Sequence, residues 1–383
     1  MPHFILMILT NGFDPDVRMH KQAKALAAAG HRVELFCWDR EGRHRDKPFE
    51  QLDGFTIRRC FIPSRYGSGL RQLLPFFRFM GACRRYIHSL PHPPDYCHCA
   101  DLDGMLAGLF GRRKKTRLVF DMREFYESGT FRRFRLPVRF LVRRMQDCSE
   151  TVVYVNETQR AQVRERNREK LVFLPNYPLR ALGAFPGKTP CGELRISYIG
   201  YVRHLPQLRG LIEAAGNRPG VRLKIYGGGV VLEQVQRLAE PYENCAAIGP
   251  FPYSEVGEIY RQTDLLYCVY DAHDPNDRTA YPTKLFEAIA TGTPILAAAG
   301  TVLGDFCLQK GIGFSVEEDY CASIKKILDT ICGDPGILKQ MSARERQLSP
   351  QYIWETAMEG LLDAYSRQGA DKAQPAGAAN TQV

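Results

Sequence analysis

Residues 280–298 read AYPTKLFEAIATGTPILAA, a helix followed directly by a buried strand. Pro282 stands at the helix start, where the missing N–H of proline costs nothing. Gly292 is placed to end the helix, and Thr293-Pro294 opens an apolar run typical of a buried strand. This order of elements predicts one unit of a parallel α/β sheet.

Lys284 and Glu287 lie three residues apart in this stretch, on one helical face near the positive end of the helix. A lysine there suits a diphosphate, and a glutamate one turn later can accept hydrogen bonds from ribose hydroxyls. The alternative is an ordinary surface ion pair between the two side chains. The residues alone leave both interpretations open.

The same alternation of strands and helices fills the chain on both sides of this stretch, which predicts two doubly wound α/β domains. Pro- and Gly-rich residues 178–192 separate them. We predict a first domain at 1–178, a second at 193–350, a helix at 351–367 and a disordered tail at 368–383. Predicted strands include 4–9, 32–38, 55–61, 95–99, 117–121, 151–155 and 170–174 in the first domain, and 194–199, 221–226, 265–269 and 294–298 in the second.

The charge is divided unequally between these halves. The 383 residues carry +10, but residues 1–180 carry +14 and the remainder −4, and Arg outnumbers Lys by 38 to 14. Arginine is favoured for forked contacts to phosphate and carboxylate. We therefore expect the first domain to meet an anionic partner.

Other classes of protein are excluded by what the sequence lacks. No stretch approaches the roughly 18–20 apolar residues of a membrane span. The apolar start at 3–9 is too short for a signal peptide, so we expect a cytoplasmic protein. The twelve cysteines form no Cys-x-x-Cys pair, and Cys97-His98-Cys99 places neighbours on opposite faces of a strand. We expect reduced thiols and no metal.

The stretch at 280–298 resembles the donor-site signature of family 4 (group 1) glycosyltransferases of the GT-B fold. Other segments are similar to that family in the same order, among them DVR at 16–18, LPNYP at 174–178, IYGGG at 225–229 and the helix near 351–365. The resemblance implies two Rossmann-like domains facing across a cleft, with a last helix that crosses back to the first. It also implies a retaining, metal-independent enzyme that needs no cofactor beyond its nucleotide-sugar substrate.

The resemblance also implies roles for individual residues. Glu287 would hold the ribose, and Tyr253 would lie in the loop that reads the base. Gly12 would form a tight turn near the acceptor, which turn geometry alone also explains. The expected donor-binding residues are Gly12, Arg203, Arg209, Gly227, Gly228, Gly229, Tyr253, Lys284 and Glu287.

Three positions depart from the family pattern. Thr279 stands where the family often has a second Glu, with Asp277 nearby. Tyr201 replaces the usual Arg after Gly200, so Arg203 or Arg209 must supply that charge. Arg123 replaces a family His; it stays protonated and cannot act as a base, but it can stabilise a leaving diphosphate. The alternative for Arg123 is an ion pair with Asp121 or Glu124.

Asp101 follows the fourth predicted strand and points toward the same cleft, where it could bond an acceptor hydroxyl or simply cap the next helix. We take Arg123, Asp101 and Glu287 as the candidate catalytic residues.

Basic and apolar residues occur together in two segments of the first domain. Residues 54–94 hold seven Arg and no acid, and FRRFRLPVRFLVRR at 131–144 holds six Arg and no acid. Phe140 falls among arginines there, as in helices that lie on membranes; a solvated basic face is the alternative. The residues assigned to an acceptor or membrane surface are Arg18, Arg132, Arg133, Arg139, Phe140 and Arg143.

The leading hypothesis is a retaining glycosyltransferase that uses a lipid-linked or anionic glycan acceptor for cell-surface polysaccharide or glycolipid synthesis. It would be peripheral on the cytosolic face of an anionic membrane and bind no nucleic acid. The alternatives are an enzyme similar to sugar-nucleotide 2-epimerases and a non-catalytic GT-B protein that binds an anionic ligand.

Overall fold

A computed structural model describes residues 2–14, 16–65, 69–124, 126, 135–184, 187–189 and 191–370. The chain divides into two compact units. The first comprises Met1–Asn176 and Thr356–Val383, and the second comprises Tyr177–Glu355.

The first unit is built on one sheet. Its strands are β1 (Phe4–Leu9), β2 (Arg32–Asp39), β3 (Phe49–Leu52), β4 (Phe55–Phe61), β5 (Tyr96–Ala100), β6 (Arg117–Met122), β7 (Thr151–Tyr154) and β8 (Leu171–Phe173). Among the described residues, the strands lie in the order β3-β4-β2-β1-β5-β6-β7-β8, and only the β3–β4 pair is antiparallel. Apart from its first residue, β1 is fully buried, as a central strand covered on both faces should be.

Helices cover this sheet, and the apolar faces of the helices and of the sheet pack together in the core of the unit. They are α1 (Val17–Ala28), α2 (Leu73–Ser89), α3 (Asp101–Gly111), α4 (Arg135–Cys148), α5 (Glu157–Arg160) and most of α14 (Trp354–Ala370). Short 3₁₀ helices span Gly69–Gln72 and Glu165–Lys170. Gly30 follows α1 with φ +87°, the left-handed conformation expected after a helix end.

The last helix is anchored in the first unit by Tyr365, whose side chain is buried. Its hydroxyl lies 2.8 Å from Nδ1 of His98, and its ring packs edge-on against Tyr96. The helix therefore belongs to the core of the first unit, as predicted. It ends at Ala370, three residues later than expected, so residues 368–370 are helical; the rest of the predicted tail lies outside the described residues.

The second unit has its own parallel sheet, with strands in the order β11-β10-β9-β12-β13-β14. These strands are β9 (Leu194–Ile199), β10 (Val221–Tyr226), β11 (Cys245–Gly249), β12 (Leu265–Cys268), β13 (Ile295–Ala298) and β14 (Gly313–Val316). Its helices are α6 (Leu205–Ala215), α7 (Leu232–Ala239), α8 (Val256–Arg261), α9 (Pro275–Thr279), α10 (Thr283–Thr291), α11 (Val302–Lys310), α12 (Tyr320–Gly333) and α13 (Gly336–Leu348), with 3₁₀ helices at Arg180–Ala184, Tyr253–Glu255 and Ser349–Gln351.

Three strands, β3, β11 and β14, were not predicted from the sequence. Each contains only four or five residues and lies at a sheet edge, where half-exposed sequences such as FEQL and CAAIG have little apolar signal. No helix in the described part of the chain is long and apolar enough to cross a membrane. All twelve cysteines are free thiols, as expected.

Candidate functional site

Glu287 on α10 is fully buried in the second unit, and three donors converge on its carboxylate. Lys284 Nζ donates to Oε2 at 2.9 Å, the Tyr260 hydroxyl to Oε2 at 3.1 Å, and the Tyr253 hydroxyl to Oε1 at 3.3 Å. Burial and then the Glu287 charge raise the pKa of Tyr253, which keeps this hydroxyl a donor. The structure thus brings three of the predicted donor-binding residues together around a buried carboxylate, rather than in a surface ion pair.

The ends of α10 are set by the residues that the sequence indicated. Pro282 has extended backbone and the helix begins at Thr283. Gly292 has φ +61°, and its N–H donates to the carbonyls of Ala288 and Ile289. A left-handed glycine at this point reverses the chain into β13. Lys284 is therefore held in the first turn, where the helix dipole favours an anion.

Arg203 follows β9 and forms an ion pair with Asp277, 2.7 Å from Nη2 to Oδ1. His204 Nε2 lies 3.2 Å from the other carboxylate oxygen and accepts a hydrogen bond from Arg203 Nε at 2.9 Å. Burial lowers the pKa of His204 in spite of Asp277, which agrees with a neutral ring acting as acceptor. Sequence reasoning noted Asp277 only as a neighbour of Thr279 and missed His204.

Arg209 lies on the exposed side of α6, and its side chain makes no hydrogen bond or ion pair with another described residue. It does not join the Arg203–Asp277 cluster, so Arg203 supplies the cation nearest to that carboxylate. The donor-binding role of Arg209 stays a prediction.

Close backbone packing requires two of the three glycines at 227–229. A Cβ on Gly227, whose φ is +134°, would lie 1.7 Å from the Gly200 carbonyl oxygen, and one on Gly229 would lie 2.1 Å from the Val202 oxygen. The Gly227 N–H already donates to Gly249. Only Gly228 has room, with the Pro250 ring at 3.3 Å. The turn geometry that sequence analysis weighed as the alternative therefore accounts for Gly227 and Gly229.

In the first unit, Arg123 is held by two carboxylates after β6. Its Nη2 lies 2.6 Å from Asp101 Oδ2 and its Nη1 2.7 Å from Asp16 Oδ2. The Tyr126 hydroxyl donates to Asp101 as well, at 2.9 Å. The alternative interpretation, an ion pair with Asp121 or Glu124, was wrong. The guanidinium pairs instead with carboxylates that follow β1 and β5.

The backbone conformation of Asp101 and the pKa of its carboxyl are both unusual. Its φ is +59°, a left-handed conformation that few non-glycine residues adopt. Burial raises the pKa of its carboxyl to about 6, and the Arg123 charge opposes that rise only in part. Asp101 is also the first residue of α3, and its side chain makes no cap hydrogen bond to that helix. It binds Arg123 instead, so the capping alternative was wrong.

The prediction that Arg18 lies on an acceptor or membrane surface was wrong. Its side chain is 7% exposed, and it bridges Asp121 at 2.7 Å and the Leu174 carbonyl at 2.7 Å. A guanidinium enclosed in this way cannot lie on a membrane or acceptor surface. Burial opposes ionisation of Asp121, but Arg18 and His98 together hold its pKa well below the ordinary value. His98 is itself fully buried, and its Nδ1 lies 2.8 Å from the Tyr365 hydroxyl.

Gly12 lines a cavity of about 410 Å³ at the ends of β1 and β2. A Cβ on Gly12 would make ordinary contacts at 3.6 Å or more, and the left-handed residue of this turn is Phe13, with φ +56°. The backbone at Gly12 therefore does not require a glycine, and the tight turn expected there stays a prediction. Its role in donor binding stays a prediction.

Three of the predicted acceptor or membrane residues, Arg139, Phe140 and Arg143, lie on α4. Phe140 and Leu136 are 63% and 74% exposed, whereas Arg139 and Arg143 are half-buried. Arg132 and Arg133 lie outside the described residues. Helix α2 adds Leu73, Leu74 and Phe77, which are 49–62% exposed, and both helices pack against α3. The exposure of Phe140 agrees with the sequence analysis, but its role at an acceptor or membrane surface stays a prediction.

No group of three or more His, Cys, Asp or Glu side chains among the described residues is arranged to hold a metal ion.

Two family models match the chain. One, described as a glycosyl transferase 4-like domain, covers residues 15–177, and the other, glycosyl transferases group 1, covers residues 187–348. The chain belongs to the group 1 glycosyltransferases. The second match includes every residue of the Glu287 cluster, so the buried cluster lies in the domain that defines this family.

The chain is 27% identical over 195 residues to a D-inositol 3-phosphate glycosyltransferase of Mycolicibacterium smegmatis. The matched residues make up 48% of this chain and 42% of that protein. The chain thus spans about two fifths of the length of the curated relatives that it matches.

Solved structures support the fold over nearly the whole chain. A sucrose-phosphate synthase from Thermosynechococcus elongatus superposes with a TM-score of 0.74 at 15% identity, covering 96% of this chain and all of that one. Anabaena HepE, solved in complex with UDP and glucose, gives 0.67 at 12% identity, covering 95% and 99%. The GT-B fold predicted for group 1 glycosyltransferases is therefore confirmed.

Proposed function

We propose that the chain is a retaining glycosyltransferase that moves a sugar from a nucleotide-sugar donor to a lipid-linked or anionic glycan acceptor. The observation that carries the proposal is the buried Glu287, fixed by Lys284, Tyr253 and Tyr260 at the first turns of α10. A carboxylate held this rigidly is suited to ribose hydroxyls, and Lys284 at the positive helix end is suited to a diphosphate. The UDP and glucose in the HepE structure agree with this class of donor.

The residues would act by orientation and charge rather than by covalent chemistry. The acceptor hydroxyl attacks the anomeric carbon on the face from which the diphosphate leaves, and the departing phosphate takes its proton. Lys284 and Arg203 offset the negative charge that develops on the leaving group. Asp101 and Arg123 would orient the acceptor, since a positioned hydroxyl removes much of the entropic barrier to attack. No metal or cofactor is assigned a step.

The acceptor side of the proposal rests on the exposed helices of the first unit. Aromatic and leucine side chains stand in solvent on α2 and α4, in a half of the chain that carries +14. Exposed apolar groups among arginines bind anionic bilayers, each cation near the surface contributing about 1 kcal/mol. We place the enzyme on the cytosolic face of a membrane, in the synthesis of a surface polysaccharide or glycolipid.

A thermal-shift screen of UDP-, GDP- and ADP-sugars tests the donor assignment. We expect one nucleotide sugar to raise the melting temperature of the wild type. We expect Glu287→Gln to lose that rise, because an uncharged amide has one acceptor oxygen where the carboxylate has two. Glu258→Gln is the matched control, since Glu258 lies exposed on α8 and pairs with Arg261. If stabilisation survives Glu287→Gln undiminished, the donor site lies elsewhere.

Product analysis separates transferase from the alternatives. Incubation of the stabilising sugar nucleotide with total bacterial lipid should yield free nucleoside diphosphate and a glycosylated lipid. Conversion to an epimeric sugar nucleotide without added lipid would favour the epimerase alternative. Stabilisation without turnover under any condition would favour a non-catalytic protein.

A further inference from the structure

A cavity of about 670 Å³ lies in the second unit, at the amino ends of its strands. Its wall contains residues that begin or directly precede four parallel strands: Leu194, Gly220, Asp264 and Pro294. Lys284 lies in the first turn of α10, whereas this wall includes Gly292, which ends that helix. The cavity is therefore separate from the Glu287 cluster, and its volume is in the range of sites for small molecules.

The two carboxylates of this wall are already paired with arginines. Asp264 accepts hydrogen bonds from Arg195 on both of its oxygens, at 2.8 and 2.9 Å. Glu193 Oε2 lies 2.7 Å from Nε of Arg222. Because each acid is offset by a guanidinium, neither would strongly repel an anion that enters the cavity.

Three cations of the same wall have no carboxylate partner in the part of the chain that the structure describes: Lys188, Lys339 and Arg346. Lys339 and Arg346 are seven residues apart on α13, so they lie on one face of the helix, and both are exposed. The chain from residue 181 onward carries a net −4. Three unpaired cations around one cavity are therefore not a consequence of a generally basic domain.

Lys188 is half-buried, and its ammonium contacts only neutral groups of the described residues. Its Nζ donates to the Tyr260 carbonyl at 3.0 Å and to the Thr293 hydroxyl. Burial lowers the pKa of Lys188 to about 8, and the charge of Arg346 contributes to that lowering although Glu345 opposes it. An ammonium has three N–H donors, so one is left for a further acceptor. A bound anion would supply the acceptor and the opposite charge together.

Apolar side chains form another part of the wall: Leu194, Pro219, Pro294, Ile331, Pro335 and Leu338. A bare inorganic ion would leave this surface without a contact, whereas an organic body attached to the anion would cover it. Three unpaired cations suit a phosphate better than a carboxylate, because a phosphate carries up to two charges and three strong acceptor oxygens.

We propose that this cavity binds a small organic phosphate, whose charged group meets the unpaired cations and whose apolar part lies against the prolines and leucines of the wall. The site goes beyond the proposed function, because it does not depend on glycosyl transfer. Loss of nucleotide-sugar binding would leave it intact, and its own failure would leave the donor site intact.

Ligand-detected NMR on the full chain tests the proposal with phenyl phosphate, an anion joined to an apolar ring. We expect phenyl phosphate to bind and benzyl alcohol, a neutral analogue, to bind at least about tenfold more weakly. The double variant Lys339→Ala/Arg346→Ala should weaken phenyl phosphate by about tenfold or more. Lys325→Ala/Lys326→Ala is the matched control, since it removes the same charge from exposed positions on α12 and should change nothing.

Two cysteines report where the probe binds. Cys191 and Cys332 line this cavity and are exposed, whereas the other ten cysteines are buried or half-buried. N-ethylmaleimide should therefore label these two first, and saturating phenyl phosphate should slow their labelling at least about threefold. Mass spectrometry of the peptides measures both sites.

Three results would overturn the proposal. They are no binding of phenyl phosphate, equal binding to the wild type and to the Lys339→Ala/Arg346→Ala variant, and unchanged labelling of Cys191 and Cys332 while the probe is bound. Displacement of phenyl phosphate by UDP would place the probe in the donor site and would contradict the proposal as well. Binding that persists in excess UDP, with both cysteines protected, would support a separate site.

Discussion

Lys284 Nζ lies 2.9 Å from Glu287 Oε2, three residues apart on α10, and the carboxylate has no exposure to solvent. Glu258 and Arg261 on α8 have the same spacing and a distance of 2.6 Å, but their side chains are 48% and 35% exposed. One chain thus contains a buried and an exposed version of the same helical pair.

Lys284→Ala should therefore destabilise the protein far more than Arg261→Ala. It leaves a buried carboxylate without its cation, which costs roughly 3 kcal/mol, whereas solvent replaces the exposed arginine. Urea unfolding of the two variants measures the difference directly. Equal effects would mean that Glu287 reaches solvent and is not held as a buried charge.

The glycine turn after β10 gives a second comparison. Gly227→Ala should lower the free energy of unfolding by roughly 3 kcal/mol or more, because the Cβ meets the Gly200 carbonyl and φ is +134°. Gly228→Ala should fold with near wild-type stability, since only the Pro250 ring must move by a few tenths of an ångström. Urea unfolding of both variants checks the packing argument.

Nucleotide-sugar binding to Gly228→Ala then tests the functional part of the motif. Reduced binding in a stably folded variant would show that a ligand approaches this backbone. Unchanged binding would mean that no ligand needs the space that glycine leaves at Gly228.

These comparisons show what the sequence could predict. The boundaries of α10 follow from Pro282 and Gly292, and the pairing of Lys284 with Glu287 follows from their spacing. The third donor, Tyr260, lies 27 residues away in sequence, and no local pattern connects it to Glu287.

The long-range ion pairs were not predicted for the same reason. Arg18 was assigned to an acceptor or membrane surface, yet its buried partner Asp121 is 103 residues distant in sequence. Arg123 was paired with its sequence neighbours, whereas parallel strands bring the ends of β1, β5 and β6 to one edge of the sheet. Periodicity predicts which residues are buried, but not which buried charges meet.

Asp101 makes stability depend on pH. Its pKa is raised from the ordinary 3.8 to about 6, so the folded state favours the protonated form. The resulting stabilisation is complete below pH ~4 and is lost as the pH rises through 6. Relative to Asp101→Asn, which has no such carboxyl, the wild type should lose up to about 3 kcal/mol between pH 4 and 7.5.

Asparagine suits this test because it tolerates the left-handed φ of +59°. Urea unfolding of the wild type and Asp101→Asn at several pH values gives the difference curve, with Glu165→Gln as an exposed control that should run parallel to the wild type. A pH-independent difference between the wild type and Asp101→Asn would show that Asp101 ionises normally.

Membrane binding should depend on the exposed aromatic residues of α2 and α4 together with bilayer charge. Phe77→Ser and Phe140→Ser remove side chains that are 61% and 63% exposed, so we expect little change in stability but a loss of binding to vesicles containing phosphatidylglycerol. Flotation measures the bound fraction.

Phe49→Ser is the matched control, because Phe49 is 51% exposed on the edge strand β3. Vesicles of phosphatidylcholine alone should bind the wild type weakly, since the arginines then meet no anionic headgroup. Equal binding of the wild type and both α2 and α4 variants to anionic vesicles would contradict the proposed membrane surface.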